Sequence, residues 1–271
     1  MTKLSAREIK ALLATAHELA DLSAAPIMKF FRKPLDVENK ASGGDFDPVT
    51  AADKAAERVI RKRLAQAFPD HGILGEEYGA QASDSPYTWV IDPIDGTKAF
   101  ITGTPLWGTL IGLAHHGRAV LGVMNQPFTG ERIWAAGGAS FWRTADGRQR
   151  RNRTRDCARL EDAMLATTSP DLLQGPGELE AFLALKARAR LTRYGGDCYA
   201  YCLLAAGHVD LVVETGLKPH DVMALIPIIE QAGGRMTNWD GGPAEAGGRI
   251  VAAGNAKLHD LALRRIARTL K

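Results

Sequence analysis

Apolar residues fall at helical spacing near the start of the chain. Ile9, Leu12, Leu13, Ala16, Leu19 and Ala20 recur every three or four positions, which places them on one face of an amphipathic helix. Ser5-Ala6-Arg7-Glu8 just upstream is a capping-box pattern, so a helix is predicted over residues 5–31, bent near Pro26. The polar, glycine-bearing stretch 38–48 reads as a mobile loop. Thr50 then opens a second helix, with Ala52, Ala55, Ala56, Val59, Ile60 and Leu64 as its buried stripe.

The period then shortens. Residues 109–114 and 119–125 read as strands around a hairpin turn at His115-His116-Gly117-Arg118. Residues 131–136 and 140–144 read as further antiparallel strands. Past an arginine-rich stretch near position 150, short apolar strands near 164–167 and 209–213 alternate with helical patterns at 177–188, 197–206, 222–231 and 256–269. That alternation predicts an α/β second half. Two halves are therefore expected, residues 1–150 and 151–271.

Composition narrows the class. The 271 residues are 45% hydrophobic, enough for one large domain or two small ones. No run reaches the roughly 18 apolar residues of a membrane span. Charged residues at the N-terminus, with no uninterrupted apolar run behind them, predict no secretory signal. Three cysteines, Cys157, Cys198 and Cys202, at no zinc-like spacing, read as structural thiols of a cytoplasmic protein. The net charge of +3 is small for this length. The stretch Arg143, Arg148, Arg150, Arg151, Arg153, Arg155, Arg159 is broken by Asp146 and Asp156 and poor in aromatics, so nucleic-acid binding is not expected and a solvated connection is.

The chemistry concentrates in Trp89-Val90-Ile91-Asp92-Pro93-Ile94-Asp95-Gly96-Thr97-Lys98. A buried strand ends in two carboxylates three positions apart, on a backbone stiffened by proline, then a Gly-Thr step. Such carboxylates are hard oxygen ligands for Mg²⁺, and amides opening a helix after Gly96 suit an anion. Cation and anion sites side by side indicate phosphate-ester hydrolysis. Other acids lie at element ends: Asp53, Glu76-Glu77 and Asp221. Each also has a plain reading. Asp53 completes a capping box with Thr50, Asp221 is an N-cap, Glu76-Glu77 is solvated charge, and Asp92 to Gly96 is a tight turn.

Together, Gly75-Glu76-Glu77, Asp92-Pro93-Ile94-Asp95-Gly96-Thr97 and the late Asp221 resemble, in order, the inositol monophosphatase superfamily of Mg²⁺-dependent phosphatases. The resemblance covers nearly the whole chain. It implies an αβαβα sandwich, an α/β layered fold. The first half would carry most metal ligands, and the second the substrate pocket and last ligand. It also implies that Glu76, Asp92 and the Ile94 carbonyl hold one Mg²⁺, that Asp92, Asp95 and Asp221 hold a second, and that a looser third lies near Glu76. Mn²⁺ is a possible substitute. Thr97 paired with Asp53 would activate the attacking water, Glu76 would assist, and the amides of Gly96 and Thr97 would hold the phosphate. A homodimer is the family expectation. His220 is a departure, since many relatives carry Trp before the late Asp.

The segment Tyr194-Gly195-Gly196-Asp197-Cys198-Tyr199, with Glu214-Thr215-Gly216-Leu217-Lys218-Pro219, resembles the histidinol-phosphatase branch. Two acids, Asp197 and Glu214, beside one leaving group suit a cation better than a polyol. With Gly196 they are the candidate substrate-binding residues, for the ammonium and imidazole of L-histidinol phosphate. Asp197 could instead only cap the helix after Gly196. An inositol-1-phosphatase or broad phosphatase is the nearest alternative. A nucleic-acid- or protein-binding role with secondary hydrolysis is the alternative of another class.

Overall fold

A computed structural model describes residues 4–34, 37–39 and 48–270. In chain order the elements are α1 (Ala6–Met28), β1 (Val37–Asn39), β2 (Pro48–Thr50), α2 (Ala51–Ala67), β3 (Gly72–Gly75), β4 (Gly79–Gln81), β5 (Tyr87–Asp95), α3 (Thr97–Ile101), β6 (Gly108–His115), β7 (Arg118–Gln126), β8 (Glu131–Ala136), β9 (Ala139–Arg143) and β10 (Gln149–Arg151). They continue with β11 (Met164–Thr167), α4 (Glu178–Lys186), β12 (Leu191–Tyr194), α5 (Asp197–Ala205), β13 (Leu211–Leu217), α6 (Pro219–Val222), α7 (Leu225–Glu230), β14 (Arg235–Asn238), β15 (Gly248–Ala253) and α8 (Ala256–Thr269).

Two sheets are sandwiched between helices. The larger runs β10-β9-β8-β7-β6-β5-β3-β4 and is antiparallel except where β3 meets β5. The smaller runs β12-β11-β13-β15-β14, with β11 parallel to β12 and β13. Period-2 alternation sorts the strand residues onto two faces. Ile111, Leu113, Val123 and Trp134 pack against Leu12, Ala16 and Leu19 of α1 and Ile60 and Leu64 of α2. Their neighbours Leu110, Met124, Ile133 and Ala135 face Tyr201, Leu204, Leu225 and Ile228 of the middle helices. Those helices meet Val212, Ile250 and Ala252 of the small sheet from the other side, while Leu211, Val213 and Val251 face Phe182 and Leu185 of α4 and Leu258, Ala262 and Ile266 of α8. The order is helix, sheet, helix, sheet, helix: the expected αβαβα sandwich. The large sheet ends at Arg151 and the small one begins at Met164, and one middle core serves both.

Local differences have local causes. The Ser5–Glu8 capping box is present, and α1 ends at Met28 with Pro26 in its last turn. There proline closes the helix instead of bending it within a longer run to residue 31. The ends of the stretch predicted as a loop over 38–48 pair as β1 and β2. Its middle, 40–47, lies outside the described residues. The helix expected over 222–231 is the shorter α7, and Val222 instead ends the separate helix α6. His116 takes φ 50° in the hairpin turn before Gly117, and His115 stacks on Tyr87 at 4.7 Å. The arginine-rich stretch is not one solvated connection. Gln149–Arg151 adds an edge strand, Arg150 lies over Trp142 and Arg155 is paired with Asp210.

Gly112 and Gly122, opposite one another on β6 and β7, let the middle layer touch the sheet backbone. A Cβ on Gly122 would lie 1.9 Å from the Ala224 carbonyl oxygen, and one on Gly112 would lie 2.9 Å from the Ala224 nitrogen. This contact seats the chain just after Asp221. Gly122→Ala is therefore expected to cost about 1–3 kcal/mol of stability through overpacking. Chemical denaturation reads this directly, and an unchanged midpoint would contradict the close contact.

Candidate active site

The large sheet delivers the central carboxylates. β5 does not stop at Pro93. It continues to Asp95 with a register shift between Asp92 and Asp95 against β6, while its other neighbour, β3, ends opposite Ile91. Proline is tolerated at such an irregularity. The Ile94 amide donates to Asp92 Oδ1 at 3.0 Å, and Thr109 Oγ1 donates to the Pro93 carbonyl at 2.9 Å. Both bonds fix the kinked backbone that aims the two acids. Gly96 follows at φ 85° as the N-cap of α3. A Cβ there would come within 3.2 Å of Asp197 Cβ and 3.0 Å of the Leu106 carbonyl, so the turn can approach the second half only without a side chain.

Glu76 is placed by a residue the sequence reading missed. Glu57 is fully buried on α2 and accepts from the amides of Glu77 at 2.7 Å and Tyr78 at 3.2 Å, with Arg61 Nε at 2.7 Å balancing its charge. A Cβ at Gly75 would fall 1.9 Å from Glu57 Oε1. The buried position of Glu57, between Ala56 and Ile60 of the apolar stripe, was the available signal.

The structure brings these acids together. Carboxylate oxygens of Asp92, Asp95 and Asp221 lie within 4.8 Å of one another, and so do ligand atoms of Glu76, Asp92 and His220. Asp92, shared by both groups, is 2% exposed. Burial holds its carboxyl well above the usual range, and the charges of Glu76, Asp95 and Asp221 push further. Burial and Asp221 do the same to Asp95, against the bond from the Cys198 amide at 2.7 Å. Asp221 is raised by burial too, against His220. Its Oδ2 accepts from the Lys218 amide at 2.7 Å, so it is the third residue of α6 and not the N-cap. Among the described residues no Lys or Arg side chain forms an ion pair with Asp92 or Asp95. Carboxylate oxygens converging around a buried Asp92 fit hard divalent ions.

Thr97 and Asp53 are held by other partners and share no hydrogen bond. Thr97 Oγ1 donates to the Ile94 carbonyl at 3.0 Å. Asp53 Oδ2 accepts from Thr50 N at 2.9 Å and Oγ1 at 2.6 Å, completing the capping box. Burial nonetheless pushes Asp53 up to about 7, Glu77 and Glu76 adding to it against the Thr50 bonds.

Above this cluster opens a cavity of about 840 Å³ lined by Glu76, Asp92, Asp95, Thr97, Asp197 and Asp221, with Lys98 and Lys218 on its wall. Gly196 is the N-cap of α5 and no side chain caps that helix, so capping does not account for Asp197. Asp197 has φ 43°, a left-handed backbone unusual outside glycine. Burial lifts its carboxyl to about 7, with Glu214 adding repulsion and Lys98 opposing. Glu214 is 5% exposed. Its Oε1 accepts from Thr168 N at 2.8 Å and Oγ1 at 2.6 Å, and its Oε2 from Tyr201 at 2.9 Å. Thr168 and Tyr201 were not foreseen, because they meet Glu214 only through pairing of β11 with β13 and packing of α5.

The fold and this acid-lined cleft are those of a phosphatase. The inositol monophosphatase family model matches residues 8–270, and the chain belongs to that metal-dependent family. It is 41% identical to the bifunctional phosphatase IMPL2, chloroplastic, of Arabidopsis thaliana, over 97% of this chain and 77% of that one. It is 36% identical to the histidinol-phosphatase of Mycobacterium tuberculosis, over 97% and 99%. A solved inositol monophosphatase from Zymomonas mobilis superposes with a TM-score of 0.81 at 43% identity, covering 97% of this chain and all of that one. No helix among the described residues is long and apolar enough to cross a membrane.

Two expectations follow. A carboxyl whose folded-state pKa is raised stabilises the fold fully below its ordinary value and loses that contribution as pH rises through the raised one. For Asp53 and Asp197 the window runs from 3.8 to about 7. The candidate ligands Asp92, Asp95 and Asp221 are raised in the same direction, so Mg²⁺ should raise the melting temperature much more at pH 8 than at pH 5, and equal gains in a thermal-shift assay would contradict the linkage. Asp92→Asn should lose more than about a hundredfold in turnover while its metal-free melting temperature stays level or rises, because one repelling buried charge is gone. A marked drop in that temperature would show the carboxylate to be structural.

Proposed function

We propose that this enzyme hydrolyses L-histidinol phosphate to L-histidinol and phosphate, as a cytoplasmic step of histidine biosynthesis. Glu76, Asp92, the Ile94 carbonyl, Asp95 and Asp221 would hold Mg²⁺, which when bound offsets the phosphate dianion, acidifies the attacking water and stabilises the leaving alkoxide. The amides of Gly96 and Thr97, at the start of α3, orient the phosphate. Asp53, poised near neutrality, takes up the water proton, with Thr97 and Glu76 positioning that water.

The observation that carries the substrate is the pair Asp197 and Glu214. Glu214 is buried and Asp197 half-buried beside the proposed metal carboxylates, and after burial itself the charge of Glu214 is what raises Asp197. Neither forms an ion pair with Lys, Arg or His among the described residues. A leaving group bearing an ammonium and an imidazole relieves that repulsion, whereas a polyol leaves it in place. A second phosphate would be repelled. Inositol phosphate is the other reading, favoured by the 43% identity to the Zymomonas enzyme. A nucleic-acid role is disfavoured because Arg148 and Arg155 of the basic stretch are engaged by Asp146 and Asp210. A homodimer is proposed from the family alone.

A phosphate-release panel with histidinol phosphate and inositol phosphate, with and without Mg²⁺, tests this. Asp197→Thr should cost ~1.5–3 kcal/mol on histidinol phosphate, roughly one to two decades in kcat/KM, and far less on inositol phosphate. Equal losses on both would defeat the assignment of Asp197 to a cationic leaving group.

A further inference from the structure

His220 and Asp221 are consecutive on α6, yet they reach different acid groups. Asp221 joins Asp92 and Asp95, and His220 joins Glu76 and Asp92, with one ligand atom from each member within 4.8 Å of the others. The two groups are adjacent because Asp92 belongs to both. His220 is 9% exposed, so its imidazole is committed to this interior, and its Nε2 lies 3.5 Å from Asp221 Oδ1. Ligand atoms about 2.1 Å from one small divalent ion lie no more than about 4.2 Å apart, and the Glu76–Asp92–His220 group, held within 4.8 Å, is on that scale.

We infer that His220 is a nitrogen ligand of the cation held by Glu76 and Asp92, giving this enzyme one mixed nitrogen–oxygen site beside the all-oxygen site of Asp92, Asp95 and Asp221. The inference rests on the proposed metal role of the acidic cluster and concerns only the identity of one ligand. The chemistry of the donors sets the consequence. Carboxylate and carbonyl oxygens suit Mg²⁺, whereas imidazole favours first-row transition ions. The mixed site prefers Mn²⁺ or Zn²⁺ to Mg²⁺, and the all-oxygen site keeps no such preference. Loading with two different cations then follows from two adjacent residues of one short helix.

Mn²⁺ is the probe, titrated into the full-length protein to full loading and read by pulsed electron paramagnetic resonance. The wild type should show modulation from a directly bound imidazole ¹⁴N, replaced by the ¹⁵N pattern when histidine alone is labelled with ¹⁵N. The labelled wild type answers the question even if a variant folds poorly. In His220→Trp, the residue many relatives carry there, and in His220→Phe, the nitrogen signal should vanish. The preference for Mn²⁺ over Mg²⁺ by calorimetric competition should fall by at least about tenfold. Bound Mn²⁺ with no nitrogen signal would show that His220 only pairs with Asp221, overturning this inference and leaving the carboxylate site intact. A nitrogen signal surviving in both variants would also overturn it. Failure of the wild type to bind Mn²⁺ at all would overturn the metal reading beneath it.

Discussion

Several carboxylates are forced together at the junction of two sheets, and among the described residues no Lys or Arg side chain forms an ion pair with Asp92 or Asp95 at their centre. Asp92 is nearly inaccessible, and it is raised by burial and by three acidic neighbours. Taking such charge from water costs several kcal/mol per ion unless it is neutralised. The fold meets this cost by keeping protons on the acids or by holding cations. On the proposed metal reading, the same crowded charge that raises these carboxyls draws in the ions a phosphate dianion needs.

The surrounding architecture keeps these acids from moving apart. A kinked strand end fixes Asp92 and Asp95 through bonds to Ile94 and Thr109. Buried Glu57 holds the turn that carries Glu76. Two facing glycines let the chain after Asp221 rest on the sheet, and the Cys198 amide ties Asp95 to the helix that carries Asp197. The proposed metal site and the proposed leaving-group pocket are thereby linked through the Asp95 carboxylate. A shift of α5 would disturb both.

Much of this was legible in the chain. Helical spacing and the Ser5–Glu8 box located α1, and the alternation of apolar strands marked β6 to β9, because local period and capping dictate local structure. The Asp92–Thr97 motif was readable because proline, glycine and paired acids compress its chemistry into a few residues. Other parts depend on contacts distant in sequence. Glu57 looks like surface charge until Gly75 lies against it. Tyr201 and Thr168 are unremarkable until Glu214 accepts from both. His220 read as a departure from relatives, and its nearness to Glu76 and Asp92 emerges only when α6 packs beside β5. The expected Thr97–Asp53 pair was not found, because Thr50 satisfies Asp53 locally, and a bond three residues away costs little chain entropy to form.

Anomalous diffraction from crystals soaked in Mn²⁺ tests the convergence of these acids on shared cations most directly. Strong peaks are expected between Asp92, Asp95 and Asp221 and beside Glu76. A map in which that space holds no anomalous density, at a Mn²⁺ concentration that supports turnover, would contradict it.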